Sequence, residues 1–272
     1  MRVIRVDDEP EYGVALGSIL VSLLEPAPGK ARDFNRWYER DHFYAGCMTG
    51  EHFFAGKRFV ATRDLKALRY PASSPQVSDT SIGSFLALYW MERGFHQKAE
   101  DWSLERVLWL YEHDRMGGDA KRRAVHASFY AHRFAVTRED DGIPPEVALD
   151  HPFPGIVLML SERPENVTRE EREAWLLEDH LPSALPGSSA ALCLSLDLLQ
   201  LPESSPAYVA PDEGADRRDL EIYFLDETPD AVWQTEFAGF GAVQEKAGMG
   251  RVSMAAGFIP TLPGTDRYVD EV

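Results

Sequence analysis

"FNRWYERDHFY" (residues 34–44) is answered half a chain later by "EREAWLLEDHLPS" (171–183). Each stretch sets a Trp five positions ahead of a His and an Asp directly before that His: Trp37 and His42 in the first, Trp175 and His180 in the second. The surroundings match too. Ahead of the first lies "GSILVSLLEPAPG", an apolar run that reads as a buried strand closed by a Pro/Gly turn; ahead of the second lies "GIVLMLSER", another strand. Beyond the first helix come "FFAGKRFVATRDLKALRY" with strand composition, the loop "PASSPQVSDTS" and the strand "IGSFLALYWME". The amphipathic helix "HQKAEDWSLERVLWLYEHDRM", ended by Gly117-Gly118, and the strand "AVHASFYAHRFAVT" complete the half. The second half repeats the succession. "SAALCLSLDLLQL", the loop "PESSPAYVAPDEGADRR" and "DLEIYFLDE" precede the helix "TPDAVWQTEFAGFGAVQEKAG", with Pro229 in its first turn, and the strand "RVSMAAGFIPTL". Thr168 and Glu171 have the spacing of a capping box for the helix that carries His180.

The order is β-α-β-β-α-β, twice, with residues 1–140 as the first repeat, 141–154 as a linker and 155–272 as the second repeat. Such a split β-α-β motif is the ferredoxin-like arrangement, a four-stranded antiparallel sheet with both helices on one face. The other face is partly apolar and must be covered. Two repeats in one chain can cover each other. The expected fold class is therefore α+β, two tandem ferredoxin-like repeats pairing their sheets into one pseudo-dimeric α/β barrel with a cavity between them.

Trp37-Tyr38-Glu39-Arg40-Asp41-His42 resembles the "W-[YH]-x-x-[ED]-H" stretch in the first helix of the dimeric α/β-barrel superfamily, in particular its EthD-like members. Trp175-Leu176-Leu177-Glu178-Asp179-His180-Leu181-Pro182 is similar. The resemblance covers nearly the whole chain as topology and only these two helices as sequence. The superfamily includes cyclases, dehydratases, lactone isomerases, cofactor-free oxygenases and haem enzymes, so the fold leaves the chemistry open. A His near the end of its first helix often faces the cavity, a role that maps onto His42.

Composition narrows the partners. With a formal charge of −17 over 272 residues, the chain lacks the clustered Lys and Arg that a phosphate backbone or anionic membrane demands. Cys47 and Cys193 are the only cysteines, and "MRVIRVDDEPEYG" turns acidic where a secretory signal would turn apolar. A soluble, cytoplasmic protein is expected. Phosphate-binding, dinucleotide, nucleophile-elbow and zinc-protease motifs are all missing, and no metal site is expected.

Read with period two, "VHASFYAHR" puts His126, Ser128, Tyr130 and His132 on one strand face, directed into the barrel, and Val125, Ala127, Phe129 and Ala131 on the other, directed at the helices. Imidazole titrates near neutrality, so His42 is the candidate general base, with His126, Tyr130 and His132 as partners. Tyr38, four positions earlier, would orient His42. Arg58 would neutralise a developing oxyanion, and Tyr38, Tyr89 and Trp90 would contact substrate. The bland readings are a helix-end cap for His42 and His180, a solvated strand edge for the His126 face, exposed positions for His96 and His113, and a buried inert thiol for Cys47. The expected function is a cofactor-independent lyase or isomerase type of proton transfer on a hydrophobic carbonyl, phenolic or polyketide-like small molecule. No cofactor is called for, and a homo-oligomer is not required. The alternatives are a haem-dependent or cofactor-free oxygenase on the same scaffold, and a non-catalytic binding or structural protein.

Overall fold

Nine antiparallel strands carry the structure, a computed structural model that describes residues 1–10, 13–118, 121–201, 203 and 214–272. The first half contributes β1 (Arg2–Arg5), β2 (Leu16–Pro26), β3 (Phe53–Val60), β4 (Phe85–Glu92) and β5 (Arg122–Thr137). Its helices are α1 (Ala31–Trp37), α2 (Arg63–Ala67) and α3 (His96–Glu112). The second contributes β6 (Gly155–Glu162), α4 (Arg169–Trp175), α5 (Leu181–Ala184), β7 (Ala190–Leu199), β8 (Arg218–Leu225), α6 (Pro229–Val232), α7 (Phe240–Lys246) and β9 (Arg251–Pro260). Two elements were not legible in the sequence: β1, four residues that pair with Phe134–Thr137 of β5, and α2, capped by the Thr62 side chain. The Pro/Ser-rich loop expected between β7 and β8 lies largely outside the described residues. The capping box of Thr168 and Glu171 is present.

Strand order runs β1-β5-β2-β4-β3-β9-β6-β8-β7, and β7 pairs back onto β5. Eight strands thus form a continuous hydrogen-bonded circuit. Its two junctions between halves are unequal. The β5–β7 junction runs from Phe129↔Leu199 to Thr137↔Leu192, whereas β3 meets β9 only at Phe59↔Pro260 and Val60↔Ile259. The segment after β3 wedges into the shorter junction, where Tyr70 bridges to Ala255.

Alternation along the strands sorts side chains into layers. In β4, Leu86, Leu88 and Trp90 point inward, while Phe85, Ala87, Tyr89 and Met91 meet the first-half helices. All eight circuit strands feed one inner cluster, among them Ile19, Phe59, Tyr130, Leu158, Leu194, Phe224 and Phe258. A second layer joins Phe134, Met159, Cys193 and Tyr223 to Trp175, Trp233, Phe237 and Phe240.

The expected cavity between the two sheets is corrected by this packing: side chains from both halves fill that space. The stretch 141–154 is more than a linker, because Pro145, Ala148, Leu149 and Phe153 are buried and the last three belong to the inner cluster. The Trp90 indole donates to the Pro145 carbonyl at 2.8 Å, and the Phe153 ring sits 5.4 Å from that of Phe224. Truncating this stopper opens a void at the centre of the circuit. Phe153→Ala is expected to lower unfolding stability by about 3–5 kcal/mol, read as a lower urea midpoint with unchanged slope. A loss below about 1 kcal/mol, the size of an ordinary surface change, contradicts a packed interior.

Candidate functional site

The five-residue Trp–His spacing has a structural cause. After Trp37 the first helix continues as two wider turns, Tyr38–His42 and Tyr44–Met48, with the i→i+5 bonding of a π-helix. After Trp175 the second does the same over Leu176–His180. Such turns bring residues five apart onto one face and recur at functional sites. The His42 ring accordingly stacks on Trp37 at 4.5 Å, and His180 stacks on Trp175 at 5.0 Å. The expected Tyr38-to-His42 hydrogen bond is corrected by the same geometry: the Tyr38 ring meets His42 edge-on at 5.0 Å, and its hydroxyl bonds that of Tyr89 at 3.0 Å.

His42 lies on the wall of a cavity of about 680 Å³, within the ~300–1,000 Å³ range of small-molecule sites. The cavity is on the outer face of the first-half sheet, under α3. Leu20, Ser22, Leu24, Ala124, Ala127 and Phe129 form its floor; Leu104, Val107 and Tyr111 of α3 roof it. Tyr38, Tyr89 and Cys47 border it at the α1 side. Burial pushes the Tyr38 hydroxyl up to about 12 and Tyr89 well above its ordinary value, so both phenols stay protonated. The Cys47 thiol, also pushed up to about 12 by burial, is no nucleophile.

His42 is uncommitted. Its Nδ1 is buried without a hydrogen-bond partner, and neither ring nitrogen bonds another described residue. Gly46 lies against the ring, where an added Cβ would come within 3.2 Å of Cε1. Burial first, then the nearby Arg122 guanidinium, lowers its pKa to about 3. That corrects the general-base reading. A base works best with a pKa near the operating pH, and this imidazole holds a proton too weakly. What remains is a neutral nitrogen donor.

The other expected residues are dispersed. His126 and Tyr130 share a 2.7 Å hydrogen bond, but Tyr130 belongs to the inner cluster, on the face of β5 opposite Ala127 and Phe129. His132 is buried with both ring nitrogens unpartnered, in a crevice beside Leu16, Arg93 and Glu146. Trp90 is held in the inner core by Pro145 and does not line the cavity under α3. Arg58 is buried against Asn35 and the Tyr38 ring. His96, expected to be exposed, bonds the buried Ser18 hydroxyl at 2.9 Å. Of the predicted set, only His42, Tyr38 and Tyr89 meet at the cavity. The floor went unread because the space above it is left by Ser22, Ala124 and Ala127, small residues that carry no chemical signal of their own.

At the position in the second half that answers to this cavity, the register sets larger side chains. Tyr89 aligns with Leu20 and Gly56; Tyr223 aligns with Val157 and Cys193. By the same register Ser22 and Ala87 answer to Met159 and Glu221. Glu221 is fully buried and takes a 2.9 Å bond from Arg172, which also lies 3.2 Å from Asp219. Phe240 packs edge-on at 4.8 Å against His180. Large and charged side chains occupy what small ones leave open in the first half.

No family model matches the chain, and no curated protein matches it. Solved structures do. A candidate chlorite dismutase superposes with a TM-score of 0.52 at 10% identity, covering 95% of this chain and all of the other. An anthrone oxidase-like protein gives 0.50 at 9%, covering 96% and 95%. The fold is ferredoxin-like. A DypB variant from Rhodococcus jostii RHA1, solved in complex with heme, gives 0.49 at 11%, covering 94% and 97%. The first two are named for oxidation chemistry, and against them the expectation of a cofactor-independent lyase or isomerase, and of no cofactor, is corrected. No helix among the described residues is long and apolar enough to cross a membrane.

Proposed function

We propose that the chain is an oxidoreductase that binds one haem in the cavity under α3. In this reading its scaffold is two tandem ferredoxin-like repeats, residues 1–140 and 155–272, joined by 141–154 and closed on each other as one pseudo-dimeric barrel. Kinship to EthD-like proteins, supported by the Trp37–His42 stretch, and a cytoplasmic setting, supported by two free buried thiols, belong to the same proposal.

The observation that carries the haem assignment is the neutral, unpartnered imidazole of His42 on the wall of an apolar cavity. Among the described residues, no group of three or more His, Cys, Asp or Glu converges as the ligands of a bare metal ion would. A haem would need from the protein a nitrogen donor and an apolar slot. His42 would supply that donor without first giving up a proton or a hydrogen bond. Leu20, Leu104, Val107 and Phe129 exclude water from the slot. Bound haem supplies one-electron and oxygen chemistry. The Tyr38 and Tyr89 hydroxyls, bonded to each other and kept protonated by burial, hold a hydrogen-bond donor at the cavity edge for an oxygen atom of substrate.

The test is a hemin titration of the purified chain, followed by its Soret absorption. A saturable, red-shifted band at one equivalent per chain is expected, because the position under α7 that answers to this cavity is taken up by Phe240, Met159 and the Arg172–Glu221 pair. No shift, or two equivalents of equal affinity, sinks the assignment.

A further inference from the structure

The chain carries 45 acidic residues against 28 basic ones. Among the described residues that line the cavity under α3, none is Asp or Glu, while Lys121 and Arg122 both line it. Arg122 is half-buried. Its Nη1 donates to the Met116 carbonyl at 2.9 Å, and its guanidinium carbon sits 4.4 Å from the centre of the Trp37 ring, which it caps. No carboxylate among the described residues pairs with it, although surface arginines nearby do find one: Arg115 bonds Asp41, and Arg36 bonds Asp266. A half-buried guanidinium that keeps donors free of carboxylates suits bidentate recognition of an incoming acid. The aromatic cap and the carbonyl fix its plane beforehand, so little rotamer freedom is lost on binding.

We infer that Arg122, with Lys121 beside it, is an anion-recognition subsite at the cavity mouth, so that the pocket selects flat apolar molecules bearing an acidic group over neutral molecules of the same shape. This deepens the proposed function by naming the chemistry at the ligand's edge, and it rests on the reading of this cavity as the ligand site. It does not depend on the ligand being a haem.

The test therefore uses probes without iron. 8-Anilinonaphthalene-1-sulfonate and N-phenyl-1-naphthylamine share one aromatic frame and differ in the sulfonate, and both fluoresce when shielded from water. The wild-type chain is expected to bind the sulfonate at least about tenfold more tightly, one charge-assisted contact being worth ~1.5–3 kcal/mol. Arg122→Gln is expected to remove that preference while leaving the neutral probe's affinity unchanged. Ala127→Trp, which fills the floor, is expected to abolish both signals. Equal affinities in the wild type overturn the inference. So does an equal loss of both probes in Arg122→Gln, which marks a merely structural arginine, and so does full binding in Ala127→Trp, which puts the probes elsewhere. A hemin titration run alongside separates the two readings. Retained sulfonate preference without a Soret shift removes the haem and keeps the subsite; a Soret shift without the preference does the reverse.

Discussion

Replacing His42 by Ala is expected to weaken hemin binding by about 100-fold or more, since residues that only orient a metal ligand are already worth about 10–100-fold. The loss should be chemical and local. The ring contacts Trp37 and Gly46 and makes no hydrogen bond among the described residues, so its removal breaks no polar network. Added imidazole should then restore much of the Soret shift by entering the space left behind. His126→Ala and His132→Ala should bind hemin as the wild type does, because His126 shares the inward face of β5 with Tyr130 and His132 lies in a separate crevice. A pH series sharpens the result. With its pKa lowered to about 3, His42 stays unprotonated from pH 8 to pH 5, and ligation through it should be flat over that range. A free imidazole, half-protonated near pH 6.5, would lose affinity as the pH fell. A decline centred near 6.5, or undiminished binding by His42→Ala, places the donor elsewhere.

A stability loss as large as that of Phe153→Ala is expected from an ion cluster in the second half. Arg172→Ala should cost about 3–5 kcal/mol, the usual penalty for removing one member of a buried ion cluster. Arg172 is 2% exposed and holds Glu221, which is 0% exposed, and Asp219, which burial pushes up to about 7. Deleting the guanidinium leaves Glu221 with no cation. Arg163 still reaches Asp219 at 2.9 Å, so Glu221 bears most of the loss. The control is Arg172→Met combined with Glu221→Gln, which removes the stranded charge and should recover most of the stability, as apolar replacement of whole buried ion sets often does. Urea unfolding reads both variants. If Arg172→Ala lies within about 1 kcal/mol of wild type, the range of surface ion pairs, the cluster is not the filling described here.

How much was legible in the chain can be argued from particular residues. Hydrophobic period places β2, β4, β6 and β8 because their buried runs are long, and the Thr168 capping box marks α4 because its chemistry is local. β1 is four mostly exposed residues with no apolar alternation, and only its partner β5 makes it a strand. Period two also separated His126 and Tyr130 from Ala127 and Phe129 correctly. It could not reveal which side of the sheet encloses space. That depends on volumes summed over three elements: Ser22 where the second half has Met159, Ala87 where it has Glu221, and an α3 that brings Leu104 and Val107 where α7 brings Phe240. Small residues determine an opening by what they omit, and a linear pattern records only what is present. The Trp–His spacing was visible from the start, but α-helical geometry assigned His42 the wrong neighbour. A wider turn was needed to pair it with Trp37.

The closed strand circuit has a consequence for how this chain meets its neighbours in a crowded solution. An open sheet ends in unpaired backbone donors and acceptors, ready to template the strand of another molecule and so to seed aggregation. Here each of the eight strands already has a neighbour on both sides. The ribbon left over, β1, is four residues long and has an arginine at each end, Arg2 and Arg5. Outside the short β3–β9 junction, chain-to-chain growth by edge pairing therefore finds little backbone to add to.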